Sequence, residues 1–235
     1  MRRPRGRVGA IVLGLLTAGG ARAEPLTLSY RVGIFSSLVL RGMQLSDPDR
    51  PVVMASIDVY SPAGWSLGAA VTGLRDATGE TASGMTLRAR YGLPLDDTLT
   101  LAVEGRHDAY HHSAWMRGWC YNQIGAGVTY ADQWNLSWNW RPRHGPDCDT
   151  ASSSPNRALD LNARWPLWTG GGIDAGIGRL SGGGSASYIY GQLGLYGGRG
   201  PWALSLGRTW TSGADLGSYG ELAKDRWVAS LVWQH

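Results

Sequence analysis

The chain has 235 residues, 22 of them basic and 18 acidic, for a formal charge of +4. Five of the basic residues, Arg2, Arg3, Arg5, Arg7 and Arg22, precede the first acid, Glu24, so the rest of the chain holds 17 basic against 18 acidic residues and is near neutral. The pI of about 9.3 is therefore carried by the N-terminus, and it does not point to a nucleic-acid partner, which would need a basic face on the folded domain.

That N-terminus has the order of a secretory leader: a charged "MRRPRGR", an apolar "VGAIVLGLLTA", and the small-x-small "ARA" of Ala21 to Ala23. The apolar run is too short to cross a bilayer as a helix. Residues 1–23 are expected to be cleaved after export, leaving 24–235 as one domain. Both cysteines, Cys120 and Cys148, lie in the exported part, where an even number can pair, and a disulfide between them is expected. The sequence has no CxxC and no metal-type cysteine cluster, and no cofactor is expected.

Beyond the leader no segment keeps a 3.6-residue apolar period, and helices are not expected. The repeating pattern is alternation, as in "WNLSWNWR" from Trp134 to Arg141, where Trp, Leu, Trp and Trp occupy one face and Asn, Ser, Asn and Arg the other. Read this way, the chain contains about twelve strands: 26–41, 51–61, 65–75, 84–94, 98–108, 118–131, 134–143, 157–166, 171–180, 185–197, 201–211 and 225–234.

The connections between them are unequal. Even-numbered strands are followed by tight turns, "SPAG", "LPLDD", "ADQ", "PLWTGG" and "GGRG". Odd-numbered strands lead into longer polar stretches such as "DATGETAS" and "RHGPDCDTASSSPN", with "SGGG" the short exception. Trp65, Trp134, Trp165, Trp168, Trp202 and Trp233 fall beside the tight turns or the C-terminus; Trp115, Trp119, Trp140, Trp210 and Trp227 fall toward the other end. An even strand count, one end of short turns, one end of long loops and tryptophan at both interfaces together predict an all-β fold: a transmembrane antiparallel β-barrel with periplasmic turns and extracellular loops. A soluble sandwich would place its tryptophans mid-strand, in its core.

With the apolar row facing lipid, Leu99, Leu101, Val103, Leu136 and Trp138 among it, the opposite row holds Arg31, Asp58, Arg88, Arg90, Glu104, Asp160, Arg164 and Asp174, which are expected to line a hydrated, mixed-charge lumen. The stretch "LRGMQLSDPDRPVVMASIDVYSPAGWSLGAAV", Leu40 to Val71, resembles the opening of the TorF family of outer-membrane porins, also catalogued as the Gcw_chp family. The matching elements are Arg41, Gly42, Gln44 and Ser46, then Pro51, Asp58, and Gly64 with Trp65. The resemblance implies a barrel and a porin role.

The expected function is passive diffusion of small polar solutes through a narrow lumen in the outer membrane of a Gram-negative bacterium. The expected partners are outer-membrane lipid and lipopolysaccharide, the barrel-assembly machinery and the solutes themselves; nucleic acid is not among them. Twelve strands lie between eight, filled by side chains, and sixteen, which leave a channel, so a non-conducting structural barrel is the alternative. A barrel-embedded enzyme acting on lipid or peptide would draw on the rim group His107, Asp108, His111, His112 and Ser113, but that group has no metal-ligand or catalytic spacing, and an enzyme is not expected.

Overall fold

The computed structural model describes residues 25–142, 155–182, 187–213 and 220–235. Twelve strands form one closed antiparallel barrel: β1 (Thr27–Phe35), β4 (Val52–Tyr60), β5 (Trp65–Arg75), β6 (Thr81–Pro94), β7 (Leu99–His111), β8 (Tyr121–Tyr130), β9 (Trp134–Arg141), β10 (Asn156–Trp168), β11 (Gly171–Gly182), β12 (Tyr188–Arg199), β13 (Trp202–Ser212) and β14 (Arg226–Gln234). Two further short strands, β2 (Val39–Leu40) and β3 (Met43–Gln44), pair only with each other. Each barrel strand pairs with its chain neighbours, and β1 meets β14 from Arg31↔Gln234 to Phe35↔Ser230, so the sheet has no open edge. Closure is what permits a sheet to exist in hydrocarbon, because every backbone group then finds a partner within the ladder.

Alternation sets the two faces. On β1, Leu28, Tyr30, Val32 and Ile34 all point outward and are 41% to 53% exposed. Leu101, Val103, Leu136, Trp138, Leu193, Leu204 and Leu206 are exposed on the same outer surface. A continuous apolar exterior of this size would aggregate in water and is stable against lipid. At the tight-turn end the rings of Trp134 and Trp165 meet edge-on with centroids 5.2 Å apart, and Trp202 stands directly opposite Trp233. Indoles favour this level because their carbon faces seek the acyl chains while N–H stays near water.

The structure departs from the sequence expectation at two places. The first strand does not run to residue 41. It stops at Phe35, and the chain turns into the β2–β3 hairpin, whose central residues Arg41 and Gly42 both have positive φ, 50° and 77°. Alternation continues through Leu38 and Leu40, so period two alone could not reveal the break; the left-handed pair is the turn that makes a two-residue hairpin. Nor is the chain wholly without helix. Ala114–Arg117 forms one short helix, α1, capped by Ser113, which accepts from the N–H of Met116, and Gly220–Ala223 forms a 3-10 turn. Elements of four residues are too short to show a helical period in sequence.

The leader, residues 1–23, lies outside the described residues, as does Cys148. Cys120 is described and is buried next to Tyr121 at the start of β8.

Candidate functional site

The interior of the barrel is not empty, because the β2–β3 hairpin folds into it. Its base is fixed on one wall. Leu45 and Val52 pack with Leu74, Ala82 and Met116 in a buried cluster, while Ser46 bridges to Asp76 in the next loop. Asp47 N–H donates to the Arg75 carbonyl, and Ala77 N–H to that of Leu45. Ser46 Oγ accepts from the Leu38 N–H at 2.9 Å, closing the hairpin at its root.

The tip reaches a different wall. Met43 packs on Tyr188 and Tyr190 of β12. Gly42 lies so close to Thr211, to Tyr190 and to the Trp210 carbonyl that a Cβ there would sit 2.9 Å from the Tyr190 Cβ and closer still to Thr211. Glycine is required at this position twice over, by its left-handed backbone and by this contact. Arg41, beside it, extends to a third part of the wall and donates from Nη2 to Gln123 Oε1 on β8 at 3.0 Å. Four residues of the 40–71 stretch share this structure: Arg41 and Gly42 make the tip, Gln44 is buried in β3, and Ser46 ties the root.

Around this hairpin the interior row is strongly polar. Asp58 accepts from Arg31 at 2.6 Å and from Arg88 at 2.5 Å, and is itself only 2% exposed. Gly68, facing them from β5, leaves the room they need, since a Cβ there would clash with both the Asp58 carboxylate and the Arg88 guanidinium. Charge-assisted pairs of this geometry are short and directional, and they tie β1, β4 and β6 together across β5. A second group joins Arg106 to Asp108, with Thr86 donating to the same carboxylate at 2.5 Å. Asp160 accepts from Asn139 at 3.0 Å and from the Tyr190 hydroxyl. Arg90 stands opposite Glu104 in the β6–β7 register, and Arg164 lies over the Tyr196 ring, 4.4 Å from its centroid. Arg141 stacks on Tyr121 at 3.4 Å.

Two cavities flank the hairpin tip. One, of about 430 Å³, is bordered by Arg41, Asp160, Asn162, Asp174, Gln192 and Thr209. The other, of about 280 Å³, is bordered by Arg41, Arg90, Glu104, Arg106, Gln123 and Asn139. Of the residues expected to line the lumen, Asp160 and Asp174 border the larger space and Arg90 and Glu104 the smaller, while Arg31, Asp58 and Arg88 are engaged in a separate triplet. Arg41, Arg106 and Asp108 are interior groups beyond those expected from the sequence, and Arg141 lies on the polar face that the alternation of its strand assigns. Arg106 and Asp108 continue the alternation of Glu104 within 98–108, so the sequence carries the signal for both.

The rim group behaves as ordinary structure. Ser113 donates to Asp76, His107 Nδ1 lies 2.8 Å from Asn122 Oδ1, and His112 Nδ1 lies 3.0 Å from Ser83 Oγ. Each side chain has a separate neighbour, and none of the three contacts joins a histidine to Ser113. Among the described residues no group of three or more His, Cys, Asp or Glu is placed to hold a metal ion. Outside the strands, the Asp76 carboxyl is perturbed. Burial pushes its pKa up, but hydrogen bonds from Ser113, Thr78 and the backbone N–H groups of Glu80 and Thr78 outweigh that and hold it below its ordinary value.

A closed antiparallel barrel with an apolar exterior and a charged, partly filled interior is the architecture of a membrane β-barrel. No family model matches the sequence, and no curated protein matches it. Among solved structures, the fold is similar to a KdgM porin, at 10% identity and a TM-score of 0.54 over 88% of this chain and 97% of that one. It is also similar to a NanC porin, at 9% identity and a TM-score of 0.56 over 88% and 98%. A third match is a KdgM porin in complex with disordered oligogalacturonate, at 11% identity and a TM-score of 0.54. At these identities the likeness is one of fold, a twelve-stranded porin-type barrel.

Proposed function

We propose that this chain is an outer-membrane porin through which small polar solutes diffuse passively, not an enzyme. The observation that carries the reading is the pair of cavities, about 430 and 280 Å³ and each bordered by charged side chains, beside the hairpin tip inside a closed barrel. Spaces of that size, lined by Asp160, Asp174, Arg90, Glu104, Asn139 and Gln192, replace the hydration shell of a small polar molecule without offering it a dry binding pocket. Interior charges of both signs, most of them paired, support weak charge selectivity. Arg31, Asp58, Arg88, Arg90, Glu104, Asp160, Arg164 and Asp174 are the lumen-lining groups in this reading, and the TorF likeness of residues 40–71 accords with it. The leader of residues 1–23 directs export, the barrel-assembly machinery inserts the chain, and lipid and lipopolysaccharide surround its exterior.

The hairpin that crosses the interior favours a second reading, a closed structural barrel. One experiment separates the two. Purified, folded protein in planar bilayers should give discrete conductance steps, and solute-loaded liposomes containing it should swell in small neutral sugars. No conductance at any voltage together with no swelling would establish the closed barrel instead.

A further inference from the structure

Arg41 borders both interior cavities. The groups that share each cavity with it differ in sign. On the β6–β9 side, Arg41 is accompanied by Arg90 and Arg106 against Glu104 on the lining and Asp108, the partner of Arg106, so the basic groups outnumber the acidic by one. On the β10–β13 side, the charged neighbours are the carboxylates Asp160 and Asp174. The Arg41 guanidinium is aimed at the first side by Gln123 Oε1 at 3.0 Å, and its backbone is held at the second by the Gly42 contact with Thr211 and Tyr190. The hairpin tip thus stands between a basic space and an acidic one.

We propose that Arg41 is the specificity-determining residue of the pore: the hairpin tip divides the lumen into two lanes of opposite charge, and Arg41 sets the balance of anions over cations by completing the basic lane. The inference rests on the porin reading above. In the basic lane an anion meets the guanidiniums of Arg41, Arg90 and Arg106, the last shared with Asp108, inside a walled space where unlike charges attract more strongly than in bulk water. In the acidic lane a cation meets Asp160 and Asp174, with Arg41 as the opposing charge. Removing the Arg41 charge weakens the first lane and relieves the second, so both changes act in one direction. Asn139, Asn162 and Gln192, also on the linings, are neutral and supply hydrogen bonds to either kind of solute.

The test is the reversal potential of the purified full chain in planar bilayers under a potassium chloride gradient. Wild type should prefer chloride modestly. Arg41→Gln should lower the chloride-to-potassium permeability ratio by roughly two- to fivefold, the weight of one unit charge a few ångströms from a hydrated ion. Arg41→Glu should invert the preference, and Arg41→Lys should retain the wild-type value. A loss of hairpin structure would change conductance for all three variants alike, whereas a charge effect separates Lys from Gln. Because the Arg41 variants perturb the hairpin, Asp174→Asn supplies an independent arm with the tip intact and should raise the chloride preference. An unchanged reversal potential in Arg41→Gln, or in Asp174→Asn, in channels that still conduct would overturn the two-lane arrangement. A wild type with no conductance would instead sink the porin reading on which it stands.

Discussion

Ser113 donates its hydroxyl to Asp76 across thirty-seven residues of sequence, and both side chains are buried, at 2% and 0% exposure. The same carboxylate accepts from Thr78 Oγ1 at 2.7 Å and from the N–H groups of Thr78 and Glu80, so one side chain closes its own loop and joins it to the loop after β7. Asp76 also bridges to Ser46 at the root of the inward hairpin. Substituting Asp76→Ala would leave these donors unsatisfied, at a cost of about 1–3 kcal/mol. The expected result is faster hydrogen exchange at Leu38, Leu45 and Ala77 with exchange in the β10–β13 wall unchanged.

The same site predicts a pH dependence. The folded pKa of Asp76 lies below its unfolded value near 4, so its contribution is complete above that value and is lost as the pH falls through the lower, folded one. Protease nicking of the loop around 76–80 should stay slow at pH 5 to 8 and accelerate in strong acid. Asp76→Asn should nick at the accelerated rate throughout and show no such transition.

Removing the centre of the Arg31–Asp58–Arg88 triplet should be more harmful than removing an arm. Asp58→Asn leaves two guanidiniums facing one another, each about 40% exposed and hence partly hydrated, so a loss of roughly 1–3 kcal/mol is expected. Arg31→Gln should cost less, and combining it with Asp58→Asn should recover part of the loss. Urea unfolding in lipid vesicles followed by tryptophan emission measures all three.

The outer and inner rows of β7 should differ sharply in their tolerance. Leu101 is exposed on the apolar exterior, and Leu101→Arg should destabilise by about 2 to 4 kcal/mol if it lies near the bilayer midplane. Glu104, three residues on and facing the smaller cavity, should accept Gln with normal assembly and altered permeation. Equal folding yields for the two variants would show that the faces are assigned wrongly.

Cys120 is buried at the start of β8. Pairing it with Cys148 would close a loop of about thirty residues and restrict the unfolded chain by about 3 to 4 kcal/mol in the entropy model. Mass mapping without reduction should recover the two cysteines in one joined peptide pair; alkylation of both thiols in unreduced protein would exclude the bond.

The barrel itself was legible because a strand with one face in lipid must alternate, and alternation survives in sequence even where boundaries blur. Trp134 to Arg141 is assigned correctly at its start for that reason, and the tight "ADQ" before it is marked by positive φ at Ala131 and Asp132. The interior hairpin was not legible. Met43 and Leu45 are among the most buried side chains of the chain, yet they sit in a stretch that reads as a polar loop, "MQLSDPDR", because their partners Tyr190, Leu74 and Met116 are distant in sequence. The clue was the Arg41–Gly42 pair, one of whose members can take a left-handed turn without strain. It was visible as a motif but silent about direction, since nothing local says whether a loop folds outward or into the barrel.

The hairpin is rooted against β5 and β6 through Leu45 and pressed on β12 and β13 through Gly42, so it works as a tie rod between two sides of the cylinder. A closed sheet of twelve strands deforms most easily by flattening into an ellipse, which bends the sheet without breaking its ladder. Here, flattening that separates those two sides must pull Gly42 off Tyr190 or Leu45 out of its cluster, while squeezing them together must push the tip through the wall. Stiffness is therefore unequal around the circumference, and lateral pressure from the surrounding lipid is resisted along the hairpin and yielded to across it.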